Sequence, residues 1–534
     1  MQHLEGLYVQ FCTELDRQQN VRLHALHRRL QQDLLDGVTD LYPGYVNLYI
    51  EFDVGLIRRE TVRGWVAAHL DALPEQNPAD QTGGRNVEIP VRYDGEDLEN
   101  VAAQTGLSTA EVVRLHSAPA YHVYAVGFTP GFPFLGELPE PLRLPRRSTP
   151  RAGVPFNAVA IAAAQSCVYV LPSPGGWHLL GTALTTIYDP NRPQPFMISP
   201  GDAVRFVPTQ PPTRDDLPSV PGVRPLWPAA PHSPVLHVVK PGLQDILVDA
   251  GRFRQAHYGL ARSGPLDERS AELANHLAGN PSGTPLLELT LLGPRLTALK
   301  DVTLAVAGYG MTPRIDGGVA QTPGHFVMRA GQTLDFKPTD QGARSYLAVA
   351  GGLETQPFLG SSSVDRTGRI GRPLQAGDVL GLGGPDLGTT EFPALSLTDT
   401  FSSPLLSPLP PSEVTLRLLP GPQASFDALV ALASAPFQVS SGDRMGIRLS
   451  GPQVPGGQVI SEATPHGAVQ VTPAGQPILL LADRGRIGGY HKPAVIHPED
   501  LPLAAQLRPN QLVHLRPYVS GPPETWARRW FMPV

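Results

Sequence analysis

Cysteine is scarce in this chain of 534 residues, which contains only Cys12 and Cys167. Two cysteines are too few for the disulfide framework of a small secreted protein. The opening stretch, MQHLEGLYVQFCTEL, lacks the basic and apolar segments of a signal peptide. No window reaches the roughly eighteen uncharged apolar residues that a membrane helix needs. We therefore expect a cytoplasmic protein that does not contact a membrane.

Lysine is also rare, and its four positions limit the chemistry of the chain. None of them completes a GxxxxGK[ST] phosphate-binding loop, and none lies between two methionines as a biotin-carrying lysine would. The four are Lys240, Lys300, Lys337 and Lys492. ATP would therefore need another kind of site, and biotin would have to be carried by another protein. We assign no metal site to the chain.

Charge is low as well, since 17% of the residues are charged and the net charge is −6. The chain has no basic run, which argues against nucleic acid and favours a small molecule or another protein as its partner. Glycine (54) and proline (59) together make up about a fifth of the residues, a composition typical of short strands joined by tight turns. The sequence thus predicts a mainly β protein, and its length predicts about three to five domains.

Changes in composition divide the sequence into units. VRLHALHRRLQQDLL (21–35) has leucines at helical spacing and VNLYIEFDV (46–54) alternates as a strand, so the N-terminal unit is expected to be α/β. Two proline-rich stretches indicate linkers. The expected units are a small α/β domain (1–85), a β unit (86–210), a linker (211–234), a first β domain of the second half (235–400), a second linker (401–412) and a second β domain of that half (413–534).

An internal repeat connects two of these units. PFNAVAIAAAQSCVYVLPSPGGW (155–177) and PHGAVQVTPAGQPILLLADRGRIGGY (465–490) share a Pro-x-x-Ala-Val start, alternating apolar positions and a closing Gly-Gly-aromatic turn. Chance similarity between glycine- and proline-rich β segments is the alternative. Duplication is favoured because the matches follow in the same order, and duplicated barrels commonly hold a ligand where the copies meet.

Several motifs resemble those of two protein families. GFTPGFPFLG (127–136), PRRSTPRAGVP (145–155) and SPGGWHLLG (173–181) resemble the B-type subunit of 5-oxoprolinase, also described as allophanate hydrolase subunit 1 or the kinase-inhibitor family. SSGDRMGIRLSGP (440–452) and GGYHKPAVIHPEDL (488–501) resemble the C-type subunit of 5-oxoprolinase, also described as allophanate hydrolase subunit 2 or the biotin-dependent carboxyltransferase family. The matches extend over nearly the whole chain, which therefore resembles a fusion of the B and C types.

This resemblance implies tandem cyclophilin-like β-barrels with a small N-terminal α/β domain. It also implies a part in the ATP-dependent opening of 5-oxo-L-proline to L-glutamate with a separate A-type subunit, and it leaves open which chain binds ATP. One alternative is biotin-dependent carboxyl transfer to urea or a related amide. Another is a non-catalytic regulator of the kinase-inhibitor type. The implied partners are an A-type 5-oxoprolinase subunit and a small amide or lactam, and a homo-oligomer stays open.

The family motifs contain four candidate catalytic carboxylates. An amide is a poor electrophile and its N–H is a very weak acid, so its reaction needs activation or a positioned base with oxyanion donors. Glu462 is the favoured residue because a turn does not need glutamate, whereas Asp443 and Asp483 could simply cap turns. The fourth carboxylate is Asp249. Candidate anion-binding residues are Arg147, Arg151, Arg252 and Arg444.

The two Gly-Gly-aromatic turns supply the remaining candidates for substrate binding. Consecutive glycines allow a ligand to approach the backbone N–H groups closely. The residues are Gly175, Gly176, Trp177 and His178 at the first turn, and Gln470, Gly488, Gly489, Tyr490 and Lys492 at or near the second. For the two aromatic residues core packing is the alternative, and for the histidine a packed or solvated side chain is the favoured interpretation.

Two stretches depart from the family motifs. Thr182 lies where the first turn is usually followed by an arginine, and Gly485, Arg486 and Ile487 replace Gln-Thr-Thr before the second turn. A guanidinium and two hydroxyls are therefore missing. We hypothesise that Arg486 supplies the guanidinium that is missing at Thr182.

Overall fold

The computed structural model describes residues 4–73, 84–210, 217–384, 413–519 and 522–534. Strands predominate over helices, which confirms the mainly β class. The predicted linker 401–412, residues 211–216 of the other linker and residues 385–400 of the first β domain lie outside the described residues. None of the helices in the described ranges is long and apolar enough to cross a membrane.

The N-terminal unit packs two helices on one face of an antiparallel sheet of order β2-β3-β1. Its elements are β1 (Leu4–Gln10), α1 (Arg17–Gln32), β2 (Val38–Pro43), β3 (Asn47–Asp53) and α2 (Arg59–Asp71). Strand alternation turns Leu7 and Val9 towards the helices. Tyr8, Tyr42 and Tyr49 lie on the opposite face and pack against the C-terminal part of the chain.

The first barrel closes from seven strands in the order β11-β4-β12-β5-β6-β9-β8. Its elements, with those of an associated two-stranded ribbon, are β4 (Asn86–Arg92), α3 (Leu98–Thr105), α4 (Thr109–Ser117), β5 (Tyr121–Val126), β6 (Pro133–Gly136), β7 (Arg151–Val154), β8 (Ala158–Ala162), β9 (Gln165–Tyr169), β10 (Ser173–Gly175), β11 (His178–Ala183) and β12 (Ala203–Pro208). Strands β7 and β10 form that separate pair, the first ribbon. The capping box expected from the sequence is present where Ser108 and Glu111 begin α4.

The middle of the chain forms two sheets rather than a closed ring. Its elements are β13 (Pro234–Lys240), β14 (Gln244–Val248), α5 (Glu268–Leu277), β15 (Leu286–Thr290), β16 (Arg295–Ala298), β17 (Val302–Gly308), β18 (Met311–Ile315), β19 (Gly318–Val319), β20 (Gly324–Met328), β21 (Thr333–Pro338), β22 (Arg344–Val349) and β23 (Val379–Gly381). One sheet has the order β19-β18-β21-β16-β13-β23 and the other β14-β15-β22-β17-β20. Helix α5 contacts β17 and β22 of the second sheet.

The second barrel closes in the order β24-β31-β28-β29-β26-β25-β32. Its elements and the C-terminal segment are β24 (Glu413–Pro420), α6 (Phe426–Ala433), β25 (Phe437–Gly442), β26 (Gly446–Ser450), β27 (Gln458–Ala463), β28 (Ala468–Val471), β29 (Pro477–Leu480), β30 (Ile487–Tyr490), β31 (Ala494–Ile496), α7 (Leu501–Ala505), β32 (Leu512–Pro517), α8 (Trp526–Trp530) and β33 (Phe531–Pro533). Strands β27 and β30 pair outside the barrel as the second ribbon.

The two barrels have the same topology. In each, the first strand pairs in parallel with the last, β4 with β12 and β24 with β32. The other strands follow in the same order, and each ribbon comes from the same place in its repeat. This agreement confirms the tandem barrels and supports the duplication inferred from the sequence.

The end of the chain returns to its beginning. Strand β33 pairs in parallel with β1, so that Phe531 lies opposite Tyr8 and completes a four-stranded sheet. Trp530 Nε1 donates a hydrogen bond of 2.8 Å to the carbonyl oxygen of Pro420, at the end of β24. The C-terminal segment therefore ties the second barrel to the N-terminal sheet.

Candidate active site

The second ribbon carries the glycines of the second Gly-Gly-aromatic turn. Glu462 of β27 lies opposite Gly488 of β30. A Cβ atom on Gly488 would lie 2.8 Å from Gln470 Nε2, so glycine is what lets the Gln470 amide approach the ribbon backbone. The second ribbon thus brings Glu462, Gln470 and Gly488 close together.

Glu462 is the centre of a buried polar cluster. Its side chain is buried, and Lys492 Nζ lies 2.9 Å from its Oε1 atom, with a lysine side chain that is 0% exposed. Gln423 Nε2 donates a 2.7 Å hydrogen bond to the same oxygen. Asn47 Nδ2 donates to the other oxygen, Oε2, at 3.1 Å. Charge pairing with Lys492 and these hydrogen bonds offset the cost of burying the carboxylate.

Two of these partners were not identified from the sequence. Gln423 lies after β24, and Asn47 begins β3 of the N-terminal unit, 415 positions before Glu462. Gln423 Oε1 also accepts from the backbone N–H of Lys492 at 3.1 Å. The only local signal was LLPGPQ (418–423), which resembles a family motif; nothing in VNLYIEFDV pointed to Asn47.

Tyr490 is an exposed neighbour of the cluster. Tyr490 is 37% exposed, and its carbonyl oxygen accepts from Lys492 Nζ at 3.3 Å. A Cβ atom on Gly489 would lie 3.3 Å from Ser461 Oγ. Burial and the charge of Lys492 lower the pKa of the neighbouring His491, against an opposing effect of Glu462.

The surroundings of the first ribbon differ from those of the second, because the nearby Arg147 and Arg151 already form ion pairs with Asp97. Arg147 Nη1 lies 2.8 Å from Asp97 Oδ1, and Arg151 Nη2 lies 2.8 and 2.9 Å from the two oxygens of the same carboxylate. The backbone N–H of Leu179 also donates to Asp97, at 2.8 Å. The two arginines predicted to bind an anion are therefore bound to a carboxylate of the chain itself.

The glycines and rings of the first turn make close contacts within the barrel. A Cβ atom on Gly175 would lie 2.3 Å from the Tyr169 hydroxyl, and the carbonyl oxygen of Gly176 accepts from Arg147 N at 2.9 Å. Trp177 is 5% exposed and belongs to the barrel core. His178 is buried, with Nε2 at 2.9 Å from the carbonyl oxygen of Pro145.

Asp249 and Arg252 lie in the middle domain. Asp249 accepts hydrogen bonds of 2.6 Å from the hydroxyls of Ser361 and Ser363. It lines a cavity of about 280 Å³ whose wall also includes Asp53 of the N-terminal unit. Arg252 is buried and donates to the carbonyl oxygen of Ser363 at 3.0 Å. Both residues belong to this region and not to the polar cluster around Glu462.

The other candidates of the second barrel have structural contacts. Asp443 is exposed and accepts from the backbone N–H groups of Met445 and Gly446, so it caps a turn. Arg444 is buried and bridges Asp483, at 2.8 Å, to Glu288 of the middle domain, at 2.6 Å. This bridge joins two parts of the C-like half.

The departures from the family motifs have local explanations. Thr182 Oγ1 donates to Asp94 at 3.1 Å. Arg486 is buried and donates to the carbonyl oxygen of Leu260 at 2.8 Å and to the Tyr42 hydroxyl at 3.2 Å. These contacts join the middle and N-terminal units, and they do not support the hypothesis that Arg486 replaces the guanidinium missing at Thr182.

Two family models match the chain, one on each half. Residues 3–198 match a model described as carboxyltransferase domain, subdomain C and D. Residues 258–517 match one described as carboxyltransferase domain, subdomain A and B. The order of the two matches follows the two barrels.

Relatives match the same two halves. The B-type subunit of 5-oxoprolinase from Escherichia coli is 43% identical over 185 residues, which are 34% of this chain and 83% of that protein. The C-type subunit from Escherichia coli is 34% identical over 293 residues, 52% of this chain and 90% of that protein. The crystal structure of TTHA0988 is 48% identical with a TM-score of 0.88, covering 96% of this chain and 99% of that one.

Proposed function

Because the chain belongs to the carboxyltransferase-domain family of the B- and C-type 5-oxoprolinase subunits, as a fusion of the two, we propose that it is the fused B–C component of an ATP-dependent 5-oxoprolinase. In this proposal it opens 5-oxo-L-proline to L-glutamate together with an A-type subunit. The scarcity of cysteine supports a reducing, cytoplasmic setting for this activity.

The observation that carries the proposal is the buried Glu462–Lys492 pair. A carboxylate and an ammonium held 2.9 Å apart beside amide side chains form an acid–base pair next to groups that can bind an amide. Glu462 would take the proton from the water that attacks the lactam carbonyl. Gln470, beside the glycine backbone of Gly488, would hydrogen-bond the substrate amide.

ATP is assigned to the partner in this proposal. None of the four lysines lies in a phosphate-binding loop, and Lys492 is paired with Glu462. When bound, ATP would supply a phosphoryl group to the amide oxygen, which would make the lactam carbon more electrophilic, so that water adds, the C–N bond breaks, the nitrogen takes up a proton and the phosphoryl group ends as phosphate. The role of this chain would be to orient the lactam, receive the proton at Glu462 and exclude bulk water around Lys492.

Carboxyl transfer to an amide nitrogen is the second candidate. It is favoured by the description of both family models as carboxyltransferase domains. The same Glu462 would then accept the proton of the amide N–H, and the biotin would be on another protein. Both candidates use one carboxylate beside one amide-binding ribbon.

The test mixes the purified chain with an A-type 5-oxoprolinase subunit, ATP and 5-oxo-L-proline, and measures glutamate. We expect ATP-dependent glutamate, and a rate at least about 100-fold lower for Glu462→Gln, which keeps the shape but cannot take up a proton. Asp443→Asn is the matched control and should keep close to the wild-type rate, since Asp443 caps an exposed turn.

The absence of glutamate where a standard B and C pair is active would refute the proposal. Transfer of labelled CO₂ from carboxybiotin to urea would then support the second candidate. A chain inactive in both assays that still binds a lactam would indicate the regulator of the kinase-inhibitor type.

A further inference from the structure

The two oxygens of Glu462 have different surroundings. Oε1 receives two donors, Lys492 Nζ and Gln423 Nε2. Among the residues that the structure describes, Oε2 accepts from Asn47 Nδ2 alone. A carboxylate oxygen has two lone pairs, so Oε1 is saturated and Oε2 keeps one acceptor direction. Oε2 is therefore the oxygen that can meet a substrate or a water molecule.

The orientation of the Asn47 amide is fixed by what it contacts. Nδ2 donates both to Glu462 Oε2, at 3.1 Å, and to Gln10 Oε1, at 3.2 Å. A carboxylate can only accept, so the nitrogen and not the oxygen of Asn47 must point towards Glu462. Asn47 is 1% exposed, which leaves its side chain little freedom to turn away.

The turn before Asn47 is rigid as well. The backbone N–H of Gly44 donates to the carbonyl oxygen of Asn47 at 2.9 Å. Asn20 Nδ2 of α1 donates to the carbonyl oxygens of Gly44 and Tyr45, at 3.1 and 2.9 Å. A Cβ atom on Gly44 would lie 3.2 Å from Asn47 Oδ1. Helix α1 and the backbone bond between Gly44 and Asn47 thus fix the turn from which Asn47 begins β3.

We infer that Asn47 is a positioning residue that aims Oε2 of Glu462 at the substrate, so that the B-like half completes the site whose base comes from the C-like half. This inference rests on the proposed function. It assigns the N-terminal unit a direct part in the reaction, through one hydrogen bond across the two halves.

The test measures glutamate formation by the complex with the A-type subunit, over a range of pH. For Asn47→Ala we expect kcat to fall about tenfold or more with little change in KM, because the base is misaligned after the substrate has bound. For Asn47→Asp the acid limb of the pH profile should move up by about one pH unit, since a second carboxylate opposes the ionised form of Glu462.

Asn20→Ala is the matched control. It removes a buried amide of α1 that hydrogen-bonds to the same turn and does not contact Glu462. The thermal midpoint of Asn20→Ala should fall by about as much as that of Asn47→Ala. The acid limb of its pH profile should stay at the wild-type position. If Asn47→Ala does not fold, the pH profile of Asn47→Asp decides.

The outcomes separate the two claims. A wild-type complex that forms no glutamate overturns the proposed function and the role of Asn47 with it. An active wild type with an unchanged kcat in Asn47→Ala, or with the same acid limb in Asn47→Asp and wild type, overturns the inference alone. A shift of the acid limb in Asn20→Ala would also overturn it, because loosening of the unit would then explain the effect.

Discussion

The Tyr8 hydroxyl donates a hydrogen bond of 2.6 Å to the carbonyl oxygen of Ala463, 455 positions away in the chain. Ala463 is the residue after Glu462, and its ribbon partner is Ile487. Burial raises the pKa of Tyr8 well above its usual value, and the charge of Glu462 adds to this, so the hydroxyl remains a donor at neutral pH. The N-terminal sheet therefore holds the backbone of the second ribbon directly.

Tyr8→Phe should destabilise this contact. The substitution leaves the buried carbonyl oxygen of Ala463 without its donor, so we expect the free energy of unfolding to fall by about 1–3 kcal/mol. Urea denaturation measures the loss, and hydrogen exchange at the amide of Thr464 reports the ribbon itself. Tyr121→Phe is the control, because its hydroxyl bonds locally to the carbonyl oxygen of His116. Faster exchange at Thr464 in the control would contradict the prediction.

Asp97→Asn should weaken the first barrel. It removes the charge that holds Arg147 and Arg151, both of which are partly exposed. We expect a loss of about 2 kcal/mol, below the value for a fully buried pair because solvent screens the arginines. The neighbouring Glu96 also pairs with Arg151 but is itself 61% exposed. Glu96→Gln should therefore change the free energy of unfolding by less than about 0.5 kcal/mol, and equal losses would refute this account.

Arg444→Met should lower the free energy of unfolding more than a similar substitution at the surface does. The variant leaves the buried carboxylates of Asp483 and Glu288 without their common cation, for which we expect a loss of about 3–5 kcal/mol. Burial by itself raises the pKa of Glu288, but Arg444 and Arg344 reverse this and lower it. Arg417→Met provides the comparison in urea denaturation, because Arg417 is 37% exposed, and its loss should be about 1 kcal/mol.

Asp245→Asn should remove the destabilisation that the buried carboxylate causes when it ionises at higher pH. Burial raises the pKa of Asp245 to about 7, and a hydrogen bond from the backbone N–H of Gly242 offsets this only in part. The folded state therefore prefers the protonated carboxyl, and this stabilisation is complete below about pH 4 and is lost as the pH rises through 7. As the pH rises, the free energy of unfolding of the variant should increase relative to that of wild type, by roughly 2–4 kcal/mol at pH 8.

Denaturation at pH 5, 6.5 and 8 checks the Asp245 prediction. Asp301→Asn is the control, since its exposed carboxylate has a lowered pKa and is ionised throughout this range. The difference in the free energy of unfolding between Asp301→Asn and wild type should not change with pH. A constant difference for Asp245→Asn would show that the buried carboxyl does not titrate as expected.

The sequence was sufficient for the parts of the fold that are encoded locally. The repeated Pro-x-x-Ala-Val segments and Gly-Gly-aromatic turns predicted two related β units, because alternation and turn residues act over a few positions. The pairing of strands into two separate ribbons was not predicted. Glu462, Gln470 and Gly488 were named as candidate site residues from the motifs around them. Their contact depends on the pairing of β27 with β30 and on the approach of Gln470 from β28, which the motifs did not predict.

The rest depended on pairings between distant residues, which leave no local pattern. Asn47 looks like an ordinary strand residue until β3 packs against β27, and Asp97 reaches Arg151 across 54 positions. Arg147 and Arg151 were therefore predicted to bind an anionic ligand from their positive charge alone. The return of β33 to β1 was equally invisible, because a three-residue strand has no periodicity to detect.

The pairing of β33 with β1 also determines how long the edge of β1 stays unpaired during translation. Strand β1 (Leu4–Gln10) is made long before its partner β33 (Phe531–Pro533). At roughly 5–20 residues per second, the edge of β1 stays unpaired for about 25–100 s of translation. An open strand edge is a template for pairing with other chains. The edge of β1 is thus open to misassociation for as long as the ribosome needs to reach β33.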